Sequence, residues 1–499
     1  MDLSGSTNYS TMTQAVPPPV PAPTEAIQFP LDVDINAVVN DIVRDWSASP
    51  VLQTGSADMV QASLPQHLPR GGAPMSRVLN EIKSVAVAYR RRNAHPGFFG
   101  YVASPGLPTD PLGHAMTAAL NQNVVGYPGS PGAAATERTV IEWFRQLCDF
   151  PVGTDGVLLS GGSLANLAAL AAALYDALGE AAIRDGLVAQ GHRVPIILAA
   201  ESVHFSVQRA ATVLGVGQNQ VRSIAVDDQF RMDADALENT LTAAQDRDEL
   251  PFCVVASAGS TTTGAVDPLE AIADLCTRFG VWLHVDAAYG GAGLLAAGLR
   301  PLFSGIERAD SVSMDLHKWF YLAFDGSVLL YRNPDAARRV FFSQSEYVQF
   351  DQHGPAEEHM FFHLGPELSR RFRALPAYLA FRYYGADRLG HQVQYNADCV
   401  RYLASLIEAE TDLELVSPAV LSICCFRFAP VSMREDTTSV DTLNRRIRDA
   451  LQASGEFYLS PTDIRGRPVL RVCAISHTTQ ARHMEQLVEF VLAAGRALL

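Results

Sequence analysis

The sequence predicts an α/β fold in which a mostly parallel, seven-stranded sheet is covered by helices and followed by a smaller α+β domain. Two observations carry that expectation. From about Gly113 to Arg373, seven short apolar runs alternate with segments of helical spacing that carry acidic and basic outer faces. Beyond Pro376 the order changes to a long helical run, then strands, then a final helix. Composition agrees. Of 499 residues, 48% are hydrophobic and 18% charged, as in soluble globular enzymes. The length allows about three domains.

Taken in order, residues 1–26 read as a tail without structure, because Ser, Thr and Gln lead into a run of prolines with little to bury. Residues 27–112 show helical spacing at Ile35, Val38, Val39, Ile42 and Val43, and again at Val78, Ile82 and Val85. Pro- and Gly-rich loops break this section, so it is expected to pack on another surface. Within the large domain, 113–376, the candidate strands are 156–159, 195–199, 221–225, 253–257, 282–285, 311–314 and 327–331. Helices such as 233–244 and 269–279 lie between them. The small domain, 377–499, opens with a helical run over 378–410. Strands follow near 421–428 and 469–474, then a helix from about Gln480. No internal repeat is visible.

Lys and Arg number 38 against 53 Asp and Glu, a net charge of −15, which argues against nucleic acid or an anionic membrane as the main partner. The seven cysteines are scattered, with neither a disulfide framework nor paired zinc spacing, so no metal is expected and a reducing cytosol fits. The polar stretch 1–13 lacks a secretory pattern, which also favours a cytoplasmic location. The uncharged stretch 156–175 is interrupted by Ser160, Gly161, Gly162, Ser163 and Asn166, so it reads as strand, loop and helix rather than a membrane span.

The chemistry concentrates at four strand ends. After the run 311–314 come His317, Lys318 and Trp319. A lysine between buried apolar stretches suits a Schiff base, since burial favours the free amine, although a lysine reaching the surface is the plainer reading. Upstream, Asp286 ends an apolar run and small residues follow; a carboxylate there needs a cationic partner, and Ala288 leaves room for a flat ring. Gly161, Gly162 and Ser163 sit where a strand turns into a helix, a position that favours a phosphate. His204 follows another strand and is placed either to stack on a ring or to fill the interior. Phosphate loop, stacking His, strand-end Asp and Lys, in that order, are what pyridoxal 5′-phosphate requires. Together they weigh more than any one alone.

From about Leu31 onward the chain resembles the group II pyridoxal-phosphate-dependent decarboxylases of aromatic amino acids, glutamate and 2,4-diaminobutyrate. The matching segments are His284-Val-Asp286-Ala-Ala288-Tyr289-Gly and Asp-Leu-His317-Lys318-Trp. His95-Pro-Gly-Phe98-Phe99-Gly-Tyr101 is similar to the family's N-terminal substrate segment. Ser369-Arg370-Arg371-Phe-Arg373 is similar to its interdomain segment. The resemblance implies a fold-type I (aspartate-aminotransferase-like) homodimer with active sites at the subunit interface and a small-molecule amino-acid substrate. It implies that Lys318 carries the cofactor, Asp286 contacts the pyridinium and His204 stacks on the ring. Gly162 and Ser163 would lie at the phosphate, with Ala288, His317, Ser260 and Thr261 nearby. Phe98, Tyr101, Val125 and Tyr127 would line the side-chain pocket, Gly126 lying among them. The implied reaction is decarboxylation to the amine through an external aldimine and a quinonoid.

One departure opens a second reaction. Aromatic-acid members carry a loop tyrosine that protonates Cα, whereas counting back from Arg370 places Phe361 at that position. Phenylalanine cannot donate a proton. Phe361 therefore resembles the aldehyde synthases of the family, which consume O₂ and yield an aldehyde, although His359 or His363 would serve as an alternative donor. A cofactor-binding assembly partner with weak catalysis, and aminotransferase or aldol-type chemistry on the same scaffold, are the remaining readings.

Overall fold

The computed structural model describes residues 34–44, 48, 50–187, 193–342 and 360–499. The expected tail and His359 lie outside the described residues. Four helices come first: α1 (Ile35–Arg44), α2 (Ala57–Ala62), α3 (Met75–Ile82) and α4 (Asp110–Leu120). After α5 (Pro131–Leu147), strands and helices alternate as β1 (Asp155–Leu159), α6 (Gly162–Leu178), α7 (Glu180–Asp185), β2 (Val194–Ala200), α8 (Ser206–Val213), β3 (Val221–Ile224), α9 (Ala234–Gln245), β4 (Glu249–Ser257), α10 (Leu269–Phe279), β5 (Trp282–Asp286), β6 (Ser311–Asp315), β7 (Ser327–Tyr331) and α11 (Pro334–Phe341). All seven strands expected from the sequence are present.

They form one sheet in the order β1-β7-β6-β5-β4-β2-β3. Only β7 runs against its neighbours β1 and β6; the other pairings are parallel. Parallel strands covered on both faces read as unbroken apolar runs, which is why they were legible. Helix α6 packs across β4 to β7. Its buried face is mostly alanine (Ala165, Ala168, Ala169 and Ala172), so the backbone lies close to the sheet.

The remainder holds α12 (Ala374–Tyr384), α13 (Ala386–Ala409), β8 (Leu413–Val420), β9 (Ile423–Phe428), α14 (Thr437–Ser454), β10 (Asp463–Ile464), β11 (Arg467–Pro468), β12 (Leu470–Cys473) and α15 (Ala481–Leu498). An antiparallel sheet β12-β9-β8 packs on α13, α14 and α15 around its own core, which includes Phe426, Phe428, Ile447 and Leu487. The helical run expected over 378–410 is two helices. Gly385, at φ +77°, breaks it, a conformation that only glycine adopts without strain. Strand β8 was not anticipated. Among the described residues, no helix is long and apolar enough to cross a membrane, and all seven cysteines are free and buried.

Candidate active site

Loops leave the carboxyl ends of β1, β2, β4, β5 and β6 on one edge of the sheet, the edge where open α/β sheets bind ligands. They line one cavity of about 490 Å³. Every residue expected at the cofactor lies on its wall: Gly162, Ser163, His204, Ser260, Thr261, Asp286, Ala288, His317 and Lys318.

The chain contains two lysines. Lys83 is half exposed and pairs with Asp41. Lys318 is largely buried, with Nζ 2.9 Å from Asp315 Oδ2. Burial pulls its ammonium down, but the carboxylates of Asp315 and Asp286 more than offset this and leave the amine above its ordinary value. Burial likewise pushes Asp315 up, and Lys318 and His317 bring it below the usual carboxylate range.

Asp286 is fixed from both sides. Its Oδ1 accepts the Ala288 N–H at 3.1 Å and its Oδ2 accepts Asn166 Nδ2 at 2.8 Å. That buried amide also donates to Ser206 Oγ at 2.9 Å, and the Ser206 hydroxyl donates to His204 Nδ1 at 2.8 Å. The same amide's Oδ1 accepts from Ser313 Oγ at 3.1 Å and from His284 Nε2 at 3.0 Å. Burial pushes His284 down to about 4, so its ring is neutral. Its Nδ1 then accepts from Ser311 Oγ at 2.9 Å, which in turn accepts the Trp282 indole N–H at 2.9 Å. Burial also lowers His204, and its Nδ1 accepts the Ser206 backbone N–H at 3.3 Å, which puts the proton of the neutral ring on Nε2. One asparagine thus sets the orientation of both Asp286 and His204. Asn166, Ser206, His284 and Asp315 were not singled out from sequence. The available signals were a polar residue inside the apolar stretch 156–175 and a carboxylate ending an apolar strand three residues before Lys318.

Helix α6 begins at the cavity, where its first N–H groups lack helical acceptors. A Cβ on Gly162 would lie 3.0 Å from Asp315 Oδ2 and 3.1 Å from the Ala288 Cβ, so a larger residue there would press on both neighbours. His317 is held by its Nδ1, 2.9 Å from Gly326 O, with its ring stacked on Phe324 at 4.4 Å. The Ser260 hydroxyl turns into its own loop, 2.9 Å from Thr263 Oγ1. Buried Arg471 ties that loop down by donating to the carbonyls of Thr261 at 2.5 Å, Thr262 at 3.1 Å and Tyr101 at 3.0 Å. An anion cradle, an oriented carboxylate and a lone buried amine fit a phosphorylated pyridine aldehyde.

Among the described residues, the other expected site residues do not line this cavity. Phe98 is buried and stacks on Tyr458, 5.6 Å between centroids. Tyr101 and Tyr127 are partly exposed, and Val125 is half-buried. Phe361 is buried beneath the Arg370 guanidinium, 5.0 Å from the ring centroid, and its N–H donates to Val125 O at 3.0 Å. His363 packs between Phe342 and Phe362.

The pyridoxal-dependent decarboxylase conserved domain matches residues 58–429. The chain belongs to this family. As a pyridoxal-dependent decarboxylase it is an enzyme whose cofactor is pyridoxal phosphate and whose substrate is an amino acid. It is 29% identical over 451 residues to the aromatic-L-amino-acid decarboxylase of Bacillus atrophaeus, covering 90% of this chain and 92% of that one. It is 26% identical to the phenylacetaldehyde synthase of a Rosa hybrid cultivar, covering 92% of both. The crystal structure of Oryza sativa TDC with PLP and tryptamine superposes with a TM-score of 0.88 at 25% identity, over 95% of this chain and 100% of that one. The decarboxylase fold is therefore fold-type I.

Proposed function

We propose that this decarboxylase acts on an L-amino acid, aromatic ones first, and releases the amine and CO₂. The observation that carries the proposal is the meeting of the Lys318 amine, the doubly held Asp286 carboxylate and neutral His204 in one cavity. The likeness to an aromatic-L-amino-acid decarboxylase supports the substrate class. Bound there, pyridoxal phosphate supplies the electron sink that takes up the charge left when the carboxyl group departs. Lys318 would hold the cofactor in place. The Asp286 carboxylate would serve to keep the pyridine nitrogen protonated. Gly162 and Ser163 would offer backbone N–H groups to the phosphate, and Ala288 and His204 would contact the ring.

Val125 and Tyr127 enter this reading as pocket residues supplied across a subunit interface, whereas Phe98 is buried on Tyr458 in its own chain and Tyr101 stands beside it. The exposed stripe Leu112, Met116 and Leu120, four residues apart on α4, suits cover by a second copy. The likeness to a phenylacetaldehyde synthase supports a second reaction, oxidative deamination to the aldehyde; Phe361, buried under Arg370 and off the cavity wall, adds nothing to it. One assay in air separates them. Amine and CO₂ in equal amounts without O₂ uptake are expected; aldehyde with peroxide and O₂ consumption would move the assignment to the second reaction.

Asn166→Ala tests the hub. It removes one preorganised donor from Asp286 and loosens His204, so kcat should fall by about 10²-fold while the cofactor remains bound. Unchanged kcat in steady-state assays would show that Asp286 needs no such support.

A further inference from the structure

Asp315 has no place in the scheme above, yet it is the residue in contact with the reactive amine. It ends β6, is 2% exposed, and holds Lys318 Nζ at 2.9 Å through Oδ2. Its Oδ1 is buried without a hydrogen-bond partner. Both oxygens lie under the start of α6, 3.0 and 3.2 Å from where a Gly162 Cβ would stand, which is the floor of the phosphate cradle.

We propose that Asp315 is the proton acceptor of Lys318, holding Nζ as a paired ammonium in the cofactor-free chain and taking its proton onto Oδ2 when Nζ turns to the cofactor. The inference rests on Lys318 being the attachment residue. Only the free amine is a nucleophile, so Nζ must give up a proton before it attaches. The transfer balances: –NH₃⁺ becomes –NH₂ while –COO⁻ becomes –COOH, and the pair stays neutral throughout. Without its cation, Asp315 would be a buried carboxylate beside a phosphate, and burial favours the neutral acid.

The other groups facing the pair are each worse placed. Asp286, on β5, is already engaged by Asn166 and the Ala288 N–H. His204 has its Nδ1 committed to Ser206. His317 Nε2 stands 3.6 Å from Asp315 Oδ2, beyond a hydrogen bond. From the small domain, the Cys473 thiol is held protonated by burial. β7 offers only the Ser327 hydroxyl and α6 no titratable group near its start.

The test uses two readouts. Cofactor-free protein is acetylated with trace acetic anhydride across a pH series, and Lys318 is quantified by mass spectrometry against Lys83. In the wild type the half-labelling pH of Lys318 should lie above that of Lys83; in Asp315→Asn it should fall by about one pH unit or more. Superimposable profiles would overturn the proposal. Infrared difference spectra between cofactor-free protein and protein loaded with pyridoxal phosphate form the second readout. A protonated carboxyl band should appear in the wild type and be missing from Asp315→Asn. If that variant does not fold, the wild-type band alone decides, and its absence overturns the proposal. Borohydride reduction and peptide mapping separate the two levels. Label away from Lys318 defeats the attachment reading, whereas label on Lys318 without the band defeats only the proton assignment.

Discussion

Lys318→Ala should abolish turnover and, with it, the visible absorbance of the lysine-bound cofactor. The expected loss in kcat is on the order of 10⁴-fold or more, the scale set by deleting a group that bonds covalently during the reaction. The chain makes this an unusually clean test, because it has only two lysines and Lys83 is half exposed and paired with Asp41. No second buried amine is available to substitute. The substitution also strands Asp315, fully buried, without its ammonium. Some loss of stability in the cofactor-free state is therefore expected alongside the catalytic loss. Two measurements keep the effects apart: circular dichroism reports whether the variant folds, and absorbance of the protein with added pyridoxal phosphate reports whether attachment occurs. Retained turnover together with retained absorbance would remove Lys318 from the site.

The sheet was legible because its strands are buried on both faces. Runs such as Phe252 to Ala256 or Val328 to Leu330 are fully apolar and buried. The residues on the cavity wall were legible for a related reason. A polar residue at the carboxyl end of such a run has no packing role, so Asp286, His204 and Lys318 stood out. What escaped notice was set by long-range contact. Strand β8 contains Pro418 and a mixed burial pattern, and it follows a helix without a clear stop. Asn166 meets Asp286 across 120 residues, and nothing local to either marks the pair. Arg471 clamps a loop more than 200 residues away by backbone carbonyls, which leave no trace in side-chain identity. Spacing gave Phe361 its place in the chain, but spacing does not show that the ring lies under Arg370 rather than on the cavity wall.

Arg370→Met should destabilise the fold by about 3–5 kcal/mol, the cost of leaving a buried charge without its partner. Arg370 and Glu137 are almost fully buried and form a direct ion pair. The guanidinium also donates to Val124 O at 2.5 Å and Leu158 O at 2.8 Å, and Glu137 Oε1 accepts the Leu158 N–H at 3.1 Å. The pair thus joins the segment before Val125 to β1, two residues ahead of the cavity-lining loop that starts at Ser160, while the guanidinium covers the Phe361 ring. Methionine would roughly keep the volume and lose every donor, so the carboxylate of Glu137 would be left in an apolar interior. Adding Glu137→Leu removes that stranded charge. The double variant should therefore be more stable than Arg370→Met alone, because an ion pair replaced by apolar groups costs less than one broken. Denaturant midpoints of the cofactor-free proteins measure both steps. If the single and double variants unfold together, the pair carries no special cost. If the double variant regains stability while cofactor affinity stays low, the pair serves to position the phosphate loop, since apolar packing can restore the interior but cannot restore the donors that hold Val124 and Leu158.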